Sequence, residues 1–239
     1  MQLMNKFLMT LVISLGGSII VPEAIDSGFL KGFCSLIRQI SKKEKLIIVT
    51  GGGKTARNYQ KAANEISVVT PDDLDWMGIR ATRMNADLLR TILSDVADEK
   101  IIIDPTKKPV SKKKVIFAGG WKPGFSTDMV AVLIAEQLKV KTVINLSDVD
   151  YIYNTSPSNP KAKPIKNINW SQFYLLFGKS WSPGLNSPFD PVASRKAEEL
   201  GMKVLFTNGR NIENLEKVFL SAKKKNISTK DFIGTIIDK

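Results

Sequence analysis

Hydrophobic and polar positions along the chain follow two alternating patterns. Short runs of consecutive apolar residues predict buried strands, and apolar residues spaced three and four apart predict amphipathic helices. The strands are predicted at about 9–15, 45–50, 113–118, 140–146 and 203–207, with a last one in the segment "FIGTIID" at 232–238. The helices are predicted at about 28–40, 54–65, 73–95, 127–138, 170–177, 191–200 and 211–222.

The predicted strands are apolar on successive residues, as in "LIIVT" at 46–50 and "KVIFAGG" at 114–120. This pattern is typical of parallel strands that helices cover on both faces, which predicts a three-layer α/β/α sandwich with a mainly parallel central sheet. No internal repeat or linker divides the chain, so residues 1–239 are predicted to form one domain. The Pro-, Ser- and Asn-rich segment 154–189 is expected to be able to move over a site.

The N-terminal segment "MNKFLMTLVISLGGSII" at 4–20 has a lysine before an apolar run, as a signal peptide does. The run ends in Gly-Gly-Ser with no small-residue cleavage site, so we interpret it as a buried first strand. No later run is long enough to span a bilayer. We therefore expect no membrane partner.

Composition adds one open question, the positive charge. The 239 residues are 43% hydrophobic, enough for a large core, and carry 35 Lys and Arg against 23 Asp and Glu. A net charge of +12 fits anionic ligands, nucleic acid or a lysine-rich proteome. The basic clusters at 42–45, 112–114 and 223–225 have no interleaved aromatic residues, which favours a solvated surface and makes nucleic acid an unlikely partner.

The counts of cysteine and histidine exclude several kinds of chemistry. Cys34 is the only cysteine and there is no histidine, so the chain can form neither an internal disulfide nor a Ser-His or Cys-His nucleophile pair. A single cysteine also fits a reducing compartment, and we expect a cytoplasmic protein. Catalysis must then use carboxylates, cations, backbone amides or a bound metal.

Three segments share one design, in which a strand leads through two or more glycines into a helix. They are "ISLGGSI" at 13–19, "VTGGGKTAR" at 49–57 and "FAGGWKPGFSTD" at 117–128. One such loop most often only turns the chain, but three at the carboxyl ends of parallel strands meet at one edge of the sheet. Glycine admits a ligand close to the backbone and a helix N-terminus attracts an anion, so together they predict a polyphosphate site. The spacing matches neither a Walker loop nor G-x-G-x-x-G, which disfavours a P-loop nucleotidase.

Six blocks between residues 11 and 237 resemble the amino acid kinase family, and within it the archaeal-type UMP kinase branch. They are "GGS" at 16–18, "GGGKTARNY" at 51–59, "DWMGIRATRMNADLL" at 75–89, "GGWKPGFSTDMVA" at 119–131, "SDVDYIYNTSP" at 147–157 and "DPVASRKAEELG" at 190–201. The resemblance implies the amino acid kinase fold, with an acceptor half at about 1–135 and a donor half at about 136–239. It also implies transfer of the γ-phosphoryl group of ATP to UMP, with Mg²⁺, in pyrimidine nucleotide biosynthesis, by a homo-oligomer that is usually a hexamer.

On the acceptor side, the resemblance implies that Gly52 and Gly53 present amides to the UMP phosphate and that Arg57 pairs with its oxygens. Arginine suits this role because its guanidinium forms a bidentate fork on phosphate. Asp75 would accept hydrogen bonds from the UMP ribose. The sequence equally fits an exposed helix charge for Arg57 and a carboxylate favoured by the helix dipole for Asp75.

At the transfer point, the resemblance implies that Thr127 contacts phosphate and that Asp128 orients the groups around it, although an ordinary N-cap has the same sequence. Many family members carry a lysine where this chain has Ser14, so another cation must neutralise the transferring oxygens. The candidates are the metal, Lys54, Lys122, Arg195 and Lys196. Alignment favours Arg195 over Lys196. Asp190 would hold Mg²⁺ through water or cap its helix.

On the donor side, the resemblance implies an ATP site made by Gly16, Gly17, Ser18, Ser147, Asp150 and Tyr153. The tyrosine ring would pack against adenine or ribose. Tyr151 replaces a family glycine and Ser156 replaces an acidic residue. These departures leave open a kinase-derived nucleotide- or oxyanion-binding protein without turnover.

The sequence leaves two further functions open. The first is that of a different small-molecule kinase of the same family. However, isopentenyl phosphate kinase depends on a histidine, and the acetylglutamate, carbamate and aspartate kinases lack the 75–86 block. The second is that of a basic nucleic-acid-binding protein, whose affinity would fall steeply with salt.

Overall fold

The computed structural model describes residues 9–178 and 187–239, and the bounds below refer to them. The strands are β1 (Thr10–Leu15), β2 (Lys45–Thr50), β3 (Val115–Ala118), β4 (Thr142–Ser147), β5 (Ile152–Tyr153), β6 (Pro164–Ile165), β7 (Asn167–Asn169), β8 (Lys203–Asn208) and β9 (Thr235–Asp238). The helices are α1 (Gly17–Ile20), α2 (Ser27–Ser41), α3 (Gly53–Ile66), α4 (Pro71–Ile92), α5 (Thr127–Gln137), α6 (Trp170–Phe177), α7 (Pro191–Glu199) and α8 (Ile212–Ser221).

Seven strands form one central sheet in the order β3-β2-β1-β4-β8-β9-β7. Strands β3, β2, β1, β4 and β8 are mutually parallel. Strand β9 runs antiparallel to β8, and β7 runs parallel to β9. The mainly parallel sheet is confirmed, and its carboxyl edge brings together the loops that follow β1, β2, β3, β4 and β8.

Both faces of the sheet are covered. Val12 and Ile13 are neighbours in β1, and each is fully buried, although successive strand residues point to opposite faces. Ile13 belongs to a core with residues of α2, α4 and α8, and Val12 to a core with residues of α5, α6 and α7. The three-layer sandwich is therefore confirmed.

Capping residues start the helices where the sequence pattern predicts them. Asp26, Thr70 and Ser126 each accept a hydrogen bond from the backbone nitrogen three residues later, at the starts of α2, α4 and α5. The side chain of Asp190 does the same for α7. Each cap satisfies a free backbone N–H in the first turn and so fixes where its helix begins.

Two segments singled out in the sequence lie partly outside the described residues. The N-terminal segment is described only from Met9, and its strand begins at Thr10. Of the segment 154–189, residues 179–186 lie outside the described ranges, and residues 154–178 form β6, β7 and α6. Among the described residues, no helix has the length and apolar character needed to cross a membrane.

Candidate active site

The first two glycine loops are in direct backbone contact. Gly17 follows β1 and Gly53 follows β2, the neighbouring parallel strand. A Cβ atom on Gly17 would overlap the backbone nitrogen of Gly53, and one on Gly53 would overlap the backbone oxygen of Gly17. Gly53 also has a φ of 62°, a conformation that glycine adopts readily. Only glycine allows the two loops to lie this close.

Helix α4 holds the second and third glycine loops. The amide of Asn85 donates to the backbone oxygen of Gly51 at 2.8 Å. The backbone nitrogen of Gly120 donates to the hydroxyl of Thr82 at 2.6 Å, and the guanidinium of Arg83 donates to the oxygen of Gly120 at 3.0 Å. The 75–86 block therefore connects two of the three predicted phosphate loops.

A cleft of about 310 Å³ opens between α3, α4 and the third loop. It brings together the four residues predicted to bind UMP, Gly52, Gly53, Arg57 and Asp75, and Thr127, which is predicted to contact phosphate at the transfer point. The residues that line it are Gly52, Gly53, Ala56, Arg57, Gln60, Asp75, Gly78, Ile79, Thr82, Gly120, Phe125, Ser126 and Thr127. The cleft is thus built from three separate segments of the chain, within 52–60, 75–82 and 120–127.

The acceptor end of this cleft is suited to an anion. Gly52 and Gly53 form the start of α3, where free backbone amides and the helix dipole give a positive potential. Arg57 lies on the next turn of the same helix and is exposed. Among residues 9–178 and 187–239, no side chain or backbone group forms a hydrogen bond or ion pair with its guanidinium. The arrangement leaves a cation available for a ligand.

Asp75 faces the third glycine loop across the cleft. One of its carboxylate oxygens accepts a hydrogen bond from the backbone nitrogen of Gly124 at 2.8 Å. Gly124 has a φ of 80° and forms the tip of that loop. The carboxylate therefore connects α4 with the loop that leads into α5.

Asp128 is the second residue of α5. Its Oδ1 atom accepts hydrogen bonds from the hydroxyl of Ser14 at 2.8 Å and from the amide of Asn145 at 2.9 Å. Its Oδ2 atom accepts one from the backbone nitrogen of Asp190 at 3.1 Å. Burial raises the pKa of Asp128 to about 6, and the hydrogen bond from Ser14 opposes this rise. Thr127, the residue before it, lines the cleft.

The structure does not bring the two predicted α7 cations to the cleft. Arg195 is exposed and is not among the residues that line it. Lys196 forms an ion pair at 3.0 Å with Glu136, near the far end of α5. Glu136 is nine residues beyond Thr127, or about 13 Å along the helix axis. The position of Lys196 therefore does not support a catalytic role.

The remaining two candidate cations also have partners in the described structure. Lys54 forms an ion pair with Glu23 at 2.9 Å. The ammonium of Lys122 lies 4.1 Å from the centre of the Trp121 ring. Neither residue is among those that line the cleft.

The residues predicted to bind ATP lie around the carboxyl ends of β4 and β8. The backbone nitrogen of Gly16 donates to the oxygen of Leu146 at 2.9 Å, which places the first glycine loop beside the end of β4. Gly17 and Ser18 begin α1 directly after it, and Ser147 is the last residue of β4.

The loop after β4 carries Asp150, whose carboxylate accepts a hydrogen bond from the amide of Asn208 at 3.0 Å. Tyr151 and Tyr153 contact each other edge-to-face, with ring centres 6.4 Å apart. Burial raises the pKa of Tyr153. The tyrosine at 151 is thus accommodated by a ring contact with the predicted nucleotide-binding tyrosine.

Asp190 caps α7, because its Oδ1 atom accepts the backbone N–H of Ala193 at 2.7 Å. Within the described ranges, no group of three or more His, Cys, Asp or Glu residues forms a metal site. Mg²⁺ that arrives with nucleotide phosphates needs only one or two carboxylates from the protein. Asp190 and Asp128 are neighbouring carboxylates near the carboxyl edge, and they fit that requirement.

Comparison with known proteins defines the family. The sequence profile described as "Amino acid kinase family" matches residues 9–208, most of the chain. The chain belongs to the amino acid kinase family.

Several relatives cover nearly the whole of this amino acid kinase. It is 33% identical over 234 residues to a uridylate kinase of Methanospirillum hungatei, with 96% of this chain and 95% of that protein covered. It is 35% identical over 236 residues to a uridylate kinase of Methanosarcina mazei, with 92% and 96% covered. Among solved structures, it resembles uridylate kinase from Archaeoglobus fulgidus with a TM-score of 0.78 and 30% identity, covering 96% of this chain and 99% of that chain.

Sequence reasoning missed several polar residues that support this kinase site. Thr82, Arg83 and Asn85 connect the loops, although they lie within the block that carries the resemblance. Asn145 and Asn208 lie in or at the end of buried strands. For Asn145 and Asn208, the signal available in the sequence was a polar residue within or at the end of an otherwise apolar strand.

Proposed function

We propose that this protein is a UMP kinase, which transfers the γ-phosphoryl group of ATP to UMP and releases UDP and ADP. The observation that carries the proposal is the cleft, in which the start of α3, Arg57, Asp75 and Thr127 face one space. The uridylate kinases that match nearly the whole chain support it.

The acceptor phosphate binds at the start of α3. The amides of Gly52 and Gly53 donate to its oxygens, and Arg57 pairs with them through its guanidinium fork. Asp75 accepts from the ribose. Because the acceptor is already an anion and the transition state is loose, the reaction needs alignment and charge neutralisation rather than a strong base. A chain without histidine can therefore perform it.

The donor binds on the other half of the carboxyl edge. Residues from about 136 onward contribute Ser147, Asp150 and Tyr153, and residues up to about 135 contribute the acceptor cleft. Asp190 would hold Mg²⁺, and the metal supplies positive charge that neutralises the nucleotide phosphates when it is bound. Asp128 and Thr127 position groups where the two halves meet.

We further infer that the enzyme forms a homo-oligomer, namely a hexamer, and that it acts in the cytoplasm. Large apolar side chains are exposed on α3, α4 and the turn between them: Tyr59, Ile66, Val68, Trp76 and Met84. Clustered exposed apolar residues are typical of a protein interface. Sedimentation of the purified protein tests the oligomeric state.

The direct test of the function is an assay with ATP, Mg²⁺ and a panel of nucleoside monophosphates. We expect UMP to be the preferred acceptor and turnover to stop when the metal is chelated. Equal efficiency with CMP or AMP, or no transfer to UMP, would contradict the proposal. UMP binding by calorimetry without turnover would favour the binding protein instead.

Asp75→Ala is expected to raise the KM for UMP about tenfold or more, since a hydrogen bond to a charged group is lost, and to leave ATP binding nearly unchanged. Calorimetry with each nucleotide measures both effects. Asp72→Ala is the matched control, because Asp72 is exposed on the first turn of the same helix. A fall in ATP affinity with intact UMP affinity would mean that the two half-sites are exchanged.

Arg195 does not line the acceptor cleft, so the role proposed for it is in the donor half, on the phosphates of ATP. Arg195→Ala is then expected to lower kcat at saturating ATP and UMP far more than Lys196→Ala does. A contact made mainly in the transition state affects kcat rather than binding. Loss of the partly exposed Lys196–Glu136 pair should instead change stability by about 1 kcal/mol or less. An unimpaired Arg195→Ala enzyme would exclude the role of Arg195, and a larger loss in Lys196→Ala would assign it to Lys196.

A further inference from the structure

Two polar side chains interrupt the apolar runs of β1 and β4. Ser14 and Asn145 are 2% and 6% exposed, and they are direct partners in the register of these neighbouring parallel strands. Val12 and Val143, two residues earlier in each strand, belong to the core beneath α5. Because strand side chains alternate with a period of two, Ser14 and Asn145 lie on that same face.

Both side chains donate to one atom. The hydroxyl of Ser14 and the amide of Asn145 lie 2.8 and 2.9 Å from Oδ1 of Asp128. Two donors on one carboxylate oxygen fix the rotation of the carboxyl group, and hydrogen bonds to an ionised group are the stronger kind. The second oxygen, Oδ2, is then directed to the backbone nitrogen of Asp190.

This arrangement connects both halves of the molecule at one carboxylate. Asp128 follows Thr127, which lines the acceptor cleft, and Asp190 caps α7 in the donor half. The hydrogen bond to Oδ2 therefore connects the start of α7 to the residue that follows Thr127. If Ser14 and Asn145 had a purely structural role, they would form the same hydrogen bonds, but removing one of these bonds would not change turnover.

We propose that Ser14 and Asn145 are positioning residues, which orient Asp128 so that it holds the start of α7 in register with the cleft. The proposal rests on the kinase function proposed above. The two side chains act through Asp128 and need not touch either nucleotide. The proposal also gives Ser14 a role of its own, although Ser14 has no charge and stands where many family members carry a lysine.

The test compares two substitutions of nearly equal shape. Ser14→Val removes the hydroxyl, whereas Ser14→Thr keeps it. We expect Ser14→Val to lower kcat at saturating ATP and UMP about tenfold, as for a lost hydrogen bond to a charged group, with the KM for UMP changed less than about twofold. Ser14→Thr should keep kcat near that of the wild type, and Asn145→Leu should behave as Ser14→Val does.

A second measurement does not depend on the substrate. Amide hydrogen exchange at Asp190, followed by NMR, should be faster in Ser14→Val and unchanged in Ser14→Thr. Equal kcat and equal exchange in the two variants would overturn the proposal. If Ser14→Val does not fold, Ser14→Ala takes its place in the comparison. If the wild type does not phosphorylate UMP, the proposed function fails, but exchange at Asp190 still decides whether the pair positions α7.

Discussion

Arg57→Ala is expected to raise the KM for UMP and to reduce kcat/KM by about 2–4 kcal/mol, the range for losing one partner of a buried charge pair. In the free protein the guanidinium has no partner among the described residues, and it lies one turn beyond the amides of Gly52 and Gly53. Its full interaction is therefore available to the acceptor phosphate. Steady-state kinetics with UMP varied at saturating ATP measure the effect.

The same helix offers a matched control for Arg57. Lys61 lies four residues further along α3, is highly exposed and, within the described part of the chain, pairs with Glu65 alone at 3.6 Å. Lys61→Ala removes the same charge and should leave both constants within about twofold, as for most exposed ion pairs. Equal effects of the two substitutions would mean that Arg57 acts through general charge and does not bind the phosphate.

Gly17→Ala is expected to destabilise the protein by at least about 3 kcal/mol and to abolish activity. The added Cβ atom would overlap the backbone nitrogen of Gly53 and lie 2.7 Å from the backbone of Gly51 and Gly52. These neighbours are backbone atoms, which cannot rotate away as a flexible side chain does. Urea unfolding of the variant and the wild type gives the difference in free energy.

Gly28→Ala is the control for the glycine substitution. Gly28 lies in the first turn of α2. Of the residues that the structure describes, an added Cβ would meet only the Asp26 carboxylate, at an ordinary contact distance of 3.5 Å. Alanine is the better helix residue, so this variant should be more stable than the wild type by up to about 1 kcal/mol. A Gly17→Ala protein that unfolds at the same urea concentration as the wild type would show that the loops can separate.

Most of the fold could be predicted from the sequence because its signals are local. Strands such as β3 are apolar on every residue, and both faces of the sheet are covered. The antiparallel direction of β9 could not be predicted, because a buried apolar run carries no information on strand direction. Helix α1 and strands β5, β6 and β7 were missed, since two to four residues are too few for a periodic pattern.

The candidate site was predictable only in part, for a different reason. The glycine loops and Arg57 follow from chain order, because the carboxyl ends of parallel strands meet at one edge. The side that an α7 residue faces depends on how that helix packs on α5, and adjacent helix residues point about 100° apart. Sequence alone therefore kept Lys196 as a candidate, whereas packing pairs it with Glu136.

The contact between the first two glycine loops also has a thermodynamic consequence. Gly17 is predicted to bind ATP and Gly53 to bind the UMP phosphate, yet no side chain separates their backbones. Because these backbone atoms are in contact, a nucleotide that displaces one loop would displace the other as well. The two binding equilibria are then linked, and the linkage is reciprocal: ATP changes the affinity for UMP by the same factor as UMP changes the affinity for ATP.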